Sequence, residues 1–182
     1  MQKTLTQWTA VLLVGTGLLL GGCGAAQTTH PDAPKNGQTV TQQDKKADQS
    51  KTSQFTLYRA GRGGKLTAGT VKISGNRDQL PLQLMKELVE KKPEGDTTFP
   101  KGLKVNKVTV KDKVATVDFS REFRTRRGDQ DTLLMLYAIV DTLTELPEIK
   151  SVQFTSAGKK VTVLGGQDLD SPLKRNQSYI AK

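Results

Sequence analysis

The chain holds one cysteine and one histidine in 182 residues, its aromatics amount to 5%, and its acids are outnumbered by its bases. Each shortage excludes something. A lone cysteine builds no disulfide framework, and one Cys with one His builds no Cys/His zinc centre. The sole histidine, His30, falls in a polar stretch near the N-terminus and reads as a solvated loop side chain. The rest of the chain therefore lacks the base that Ser-His-Asp or Cys-His catalysis requires. No G-x-x-x-x-G-K-[ST] phosphate loop occurs; Gly61-Arg62-Gly63-Gly64 has neither that spacing nor a helix after it. No period of 20–50 residues recurs. Positive charge is in surplus: 28 Lys and Arg against 18 Asp and Glu give +10 and a pI near 9.7. Such a balance suits nucleic acid, anionic lipid or an acidic polymer.

The first residues read as an export signal. Lys3 supplies a short positive n-region, and Ala10–Leu20 is an apolar run of 11 residues. That length matches a signal h-region and falls short of the ~20 residues that span a bilayer. Leu20-Gly21-Gly22-Cys23 closes the run and resembles the lipobox of bacterial lipoproteins. The Cys23 sulfur is the nucleophile that takes diacylglycerol, and small residues before it let the strand lie in the peptidase groove. Residues 1–22 are thus expected to be a lipoprotein signal peptide. The mature chain is expected to start at Cys23 on the outer face of the cytoplasmic membrane, held by its acyl chains.

Residues 23–53 carry almost no large apolar side chain, Val40 excepted. They cannot bury enough surface to offset backbone entropy, so a disordered tether is expected, with a typical span of roughly 30 Å. From residue 54 the patterning turns regular, and residues 54–182 read as a single domain. Phe55–Tyr58 and Leu66–Ser74 alternate as strands, and Gln79–Lys92 takes helical spacing, with Leu80, Leu84 and Leu88 on one face. Pro81 fits its first turn and Asp78 is placed to cap it. Lys104–Val110 and Val114–Phe119 form a hairpin around Lys111-Asp112-Lys113. A second helix runs from Asp129 to about Leu146, and its eight consecutive apolar residues, Leu133–Val140, mark it as the most buried. Ser151–Thr155 and Val161–Leu164 complete the strands, and an irregular tail follows Gly165-Gly166. The order ββαββαββ implies an α+β fold, two helices packed on one face of a mixed or antiparallel sheet.

Val117-Asp118-Phe119-Ser120-Arg121-Glu122-Phe123 resembles the "VDFSxEF" signature of GerMN domains. Tyr137–Leu146 resembles the family's "YAIVNTLTE" helix, with Asp141 where the family usually shows Asn. Phe99-Pro100-Lys101-Gly102 and Ser171–Asn176 extend the match, which runs collinearly from about Leu80 to Asn176. The resemblance implies a lipoprotein or exported protein of spore-forming and related Gram-positive bacteria, tied to sporulation and spore germination. It also implies a fold similar to the ring-building motifs of secretion rings and sporulation channels, and with it self-association into oligomers. One such unit is visible, not the tandem pair of the founding germination protein.

The remaining polar motifs read mostly as structure. In Val117–Ser120 the alternation points Val117 and Phe119 one way and Asp118 the other, which makes Asp118 a turn carboxylate. Ser171-Pro172-Leu173-Lys174 matches S-x-x-K, but no S-D-N or K-T-G follows, and an end-of-domain loop accounts for it. Asp168 and Asp170 lack the ligand-rich spacing of a calcium loop. No metal, cofactor or catalytic residue is expected. Arg121, Arg124, Arg126 and Arg127 put four guanidinium groups in seven residues. They read either as a solvated loop or as a contact surface for an anionic partner. An export signal, and the lack of any aromatic but Phe123 among the arginines, disfavour nucleic acid. The expectation is a non-catalytic, lipid-anchored envelope protein of the sporulation or germination type, acting as a protein-interaction or assembly module. The alternative is a binding module for an anionic wall polymer or small ligand.

Overall fold

Eight apolar residues in a row leave a helix no solvent face to spare, and the fold is arranged to cover them. The computed structural model describes residues 52–182; the signal segment, Cys23, His30 and the tether up to residue 51 lie outside the described residues, and Ser53 already belongs to the first strand. In chain order the elements are β1 (Ser53–Ala60), β2 (Leu66–Ile73), α1 (Leu80–Val89), β3 (Val105–Lys111), β4 (Val114–Phe119), α2 (Asp129–Leu143) and β5 (Ser151–Ser156). Four two-residue strands follow: β6 (Lys159–Lys160), β7 (Val163–Leu164), β8 (Gln167–Asp168) and β9 (Leu173–Lys174). The architecture is α+β.

The main sheet runs β3-β4-β5-β6, and β9 shares an edge of β5 with β6. β3 and β4 form the expected antiparallel hairpin. β4 and β5 are parallel, so the chain must cross between them, and α2 is that crossover. Ten of its fifteen residues are buried, and Met135, Leu136, Ile139 and Leu143 are wholly so. Phe119, Phe123 and Phe154 stack within the core, with centroids 4.6 Å and 5.6 Å apart along the series. Two of these three rings come from the Val117–Phe123 motif. Its apolar residues are core residues.

Four expectations are refined. First, β1 and β2 pair only with each other, as a separate two-stranded sheet, and β1 packs on α2 instead of joining the main sheet. The outward N–H groups of β1 are met by side chains: Tyr58 N donates to Thr142 Oγ1 (3.0 Å) and Ala60 N to Thr98 Oγ1 (2.9 Å). Second, Val161–Leu164 is not one strand, because the fully buried Val161 turns inward between β6 and β7. Third, both helices are shorter than their patterns. α2 passes into tighter turns at Glu145 and Leu146 before Pro147, which disfavours α geometry in the preceding residue. α1 stops at Val89, where the Arg59 guanidinium bonds the carbonyls of Glu87, Leu88 and Lys91 and pairs with Asp96 at 2.7 Å. Upstream, Asn76, not Asp78, accepts the capping bond, for a 3-10 turn at Arg77–Gln79.

Fourth, the tail is ordered by contacts with the rest of the domain. Tyr179 stacks on Tyr137 with centroids 4.4 Å apart, and Ile180 forms a parallel bridge to Leu66. Arg175 pairs with Glu145 at 2.5 Å, donates to Tyr58 Oη (2.8 Å), and lies over the Tyr58 ring. Tyr58 Oη in turn donates to Glu145 (2.8 Å). Asn176 N donates to Asp141 Oδ1 (3.1 Å), while Asp141 Oδ2 is buried without a partner. This clasp joins β1, α2 and the C-terminal segment.

Burial pushes the Asp141 carboxyl up to about 6, against the Asn176 N–H and the nearby Arg175, with Glu145 adding to the rise. The unfolded chain ionises Asp141 near its ordinary value of 3.8, so the folded state holds the extra proton between about 4 and 6. Stability from this group is therefore full at low pH and falls as pH rises through that interval. Asp141→Asn, which carries no charge, should improve relative to wild type by about 2 kcal/mol between pH 4.5 and pH 7.5 in paired urea melts. An equal offset at both pH values would contradict this. In the same assay Leu136→Ala should cost about 2–5 kcal/mol. Val163→Ala, at a side chain 62% exposed, should stay within about 0.5 kcal/mol.

Candidate functional site

β4 ends at Phe119, and a 3-10 turn at Arg121–Arg124 carries the chain toward α2. The turn drives Phe123 into the core, and that leaves the arginines on either side facing outward. The structure brings three of the four together. Arg124, Arg126 and Arg127 line a cavity of about 260 Å3, joined by Thr125, Thr132, Val163, Leu164 and Gly165. Arg121 stands on the turn outside that lining. Arg127 is the most enclosed: its Nη2 donates to the Thr97 carbonyl at 2.5 Å, and its Nε is buried without a partner. Arg124 reaches the Lys160 carbonyl at 3.4 Å. Among the described residues none of the four lies in an ion pair, whereas Arg59 and Arg175 both do.

The carboxylates are committed to structure. Asp118 Oδ1 accepts from Thr155 Oγ1 (2.7 Å) and Gly158 N (2.8 Å), and Oδ2 from Asn106 Nδ2 (2.8 Å). Partial burial works to raise its pKa, but these three bonds outweigh it and hold the carboxyl below its ordinary range. Asp118 thereby ties β3, β4 and the turn after β5 together. Asp170 pairs with Lys160 at 2.8 Å, and Asp168 accepts from Asp170 N in a local turn. Leu173 and Lys174 of the S-x-x-K sequence form β9 and pair with β5. Among the described residues no group of three His, Cys, Asp or Glu side chains converges as a metal site.

A larger cavity, about 550 Å3, opens beside the start of β1, between Phe55, Ile73, Leu80 and Leu146, with Arg77 and Glu148 around it. No feature of the sequence pointed to it, since its walls come from four separate elements. No described helix is long and apolar enough to cross a membrane. Asp118→Ala should lower the urea midpoint by an amount equivalent to about 1–3 kcal/mol, because it removes three hydrogen bonds to one carboxylate at once. An unchanged midpoint would show that Asp118 is not a structural hub.

The family model for sporulation and spore germination, Germane, matches residues 56–162. The first GerMN domain of the sporulation protein GerM from Bacillus subtilis is similar in structure, with a TM-score of 0.58 and 26% identity, covering 68% of this chain and 98% of that one. The tandem GerMN domains of the same protein give a TM-score of 0.56 and 25% identity over 68% of this chain and 46% of that one. The chain thus spans about half the length of the tandem structure. A candidate lipoprotein from Clostridium perfringens shares the fold, with a TM-score of 0.51 and 21% identity over 69% of this chain and 89% of that one. No curated protein sequence matches. The motifs at Val117–Phe123 and Tyr137–Leu146 lie inside the matched span, and the chain belongs to the Germane family of sporulation and spore-germination domains.

Proposed function

We propose that this protein is a lipid-anchored module on the outer face of the cytoplasmic membrane, serving a sporulation or germination assembly by binding another envelope protein. The observation that carries the reading is the match to the sporulation and germination family over residues 56–162. Leu20-Gly21-Gly22-Cys23 supports the anchor, and the C. perfringens candidate lipoprotein of the same fold agrees with it. A non-catalytic role is supported by how the polar residues of the motif are used. Asp118 is spent on hydrogen bonds that join strands, and Asp141 and Glu145 on the clasp around α2. Self-association is part of the proposal, since β3 is a seven-residue edge strand of the main sheet. Lys107 and Lys111 on that edge act against indiscriminate pairing, so self-association there requires a specific partner edge.

In the native host, deleting this chain should lower the yield of heat-resistant, germination-competent spores. The wild-type chain should restore it, and Cys23→Ala should restore it poorly. Mass spectrometry of the membrane fraction should find a mature N-terminus at Cys23 carrying diacylglycerol. Normal sporulation and germination without the chain would refute the role, and an intact 1–22 segment on the wild-type protein would refute the anchor.

A further inference from the structure

The loop between β4 and α2 gathers three arginines that no ion pair among the described residues neutralises. Arg124, Arg126 and Arg127 line one cavity of about 260 Å3, and none has a carboxylate within ion-pair distance among the described residues. Elsewhere the two partly buried arginines, Arg59 and Arg175, are held by Asp96 and Glu145, while Arg62 and Arg77 stand exposed on the surface. Here Arg127 Nε is even withdrawn from solvent with no acceptor. That costs stability. The acids closest in sequence are Glu122 in the 3-10 turn, which feels the charge of Arg121, and Asp129 and Asp131 in the first turn of α2; none of the three belongs to the lining.

Two of the lining side chains are held by hydrogen bonds. Arg127 is fixed by Thr97, and the Thr132 hydroxyl at the cavity is fixed by the Gly128 carbonyl (3.0 Å). Opposite them, Gly165 sits at φ +52, where an added Cβ would come within 2.6 Å of Thr132 Oγ1. Only glycine lets the β7–β8 turn close this tightly over α2. Val163, 62% exposed, and Leu164 give the cavity an apolar side. A planar carboxylate offers two oxygens. A phosphate ester offers up to three in a tetrahedral array, enough acceptors for more than one of the guanidinium groups that line the cavity. The apolar side leaves room for the carbon skeleton that the phosphate esterifies.

We infer that the cavity lined by Arg124, Arg126 and Arg127 is a binding site for a phosphate ester. The inference stands independently of the envelope partner proposed above, so its failure leaves that reading in place.

The test uses the full-length chain, 15N-labelled and in neutral detergent, with arginine Nε–Hε signals followed by NMR. It is titrated with inorganic phosphate and with glycerol 1-phosphate, against sodium chloride and sodium acetate at matched ionic strength. The variant Arg124→Ser/Arg126→Ser is compared with Arg62→Ser/Arg77→Ser, which removes the same charge from two exposed arginines elsewhere. Both phosphates should shift the Arg127 Nε–Hε signal saturably, and acetate should not. Affinity should fall by about tenfold or more in the Arg124/Arg126 variant and stay within about twofold in the control. Flotation with phosphatidylglycerol vesicles, against phosphatidylcholine alone, separates a lipid headgroup from a free ester as the source. Should the double variant melt early, Arg126→Ser, which breaks no hydrogen bond described here, carries the comparison. Non-saturating shifts, equal response to acetate, or equal loss in the two variants would each overturn the site.

Discussion

The domain depends on the burial of α2. A helix with Leu133–Val140 in one unbroken apolar run is stable in water only if it is covered from several directions, and the chain covers it with parts far apart in sequence. The parallel pairing of β4 with β5 makes α2 the crossover, so β5 is fixed beneath it. β1 lies against it from a separate two-stranded sheet, and the residues after β9 close over it with Tyr179 and Arg175. Hydrophobic burial supplies the drive, and direction comes from a few buried polar bonds.

Those bonds form the clasp of Tyr58, Thr142, Glu145, Arg175 and Asp141. Polar groups on a buried helix stabilise nothing by being there, since each must recover the hydrogen bonds it gave up to water. Thr142 does so by accepting the Tyr58 N–H, which sets the position of β1 along the helix. Glu145 and Arg175 do so through each other and through the Tyr58 hydroxyl. Asp141 does so by half, with one oxygen bonded and one not, and burial raises its pKa beyond what the Asn176 N–H and Arg175 offset. The position resembles one where the family usually carries Asn, so the charge is a feature of this chain that the fold tolerates.

Much of this was legible in the sequence, and what was missed has a common cause. α2 and the β3–β4 hairpin announce themselves through local periodicity, which depends only on neighbours. Whether β1 and β2 join the main sheet does not, because alternation marks a strand without naming its partner. Arg59, which closes the end of α1 from 28 to 32 residues away in sequence as the structure shows at Glu87, Leu88 and Lys91, leaves no trace in any window around α1. Arg175 meets Tyr58 across 117 positions and was equally invisible. The arginine loop was legible as a cluster but not as a site. Sequence placed four arginines together, whereas the 3-10 turn at Arg121–Arg124 sorts three of them into a cavity and sets Arg121 aside.

The division of labour is plain at the family motifs. Phe119 and Phe123 pack the core, Asp118 ties strands, and the arginines between and after them are left to face outward. Native-state hydrogen exchange of the full chain tests the underlying claim, that hairpin, helix and C-terminal segment form one cooperative unit around α2. The Tyr58 amide, bonded to Thr142, should exchange with the same opening free energy and denaturant dependence as the α2 amides from Leu136 to Leu143. A Tyr58 amide that opens at markedly lower free energy while α2 stays protected would show that the hairpin is a detachable accessory and would contradict the account.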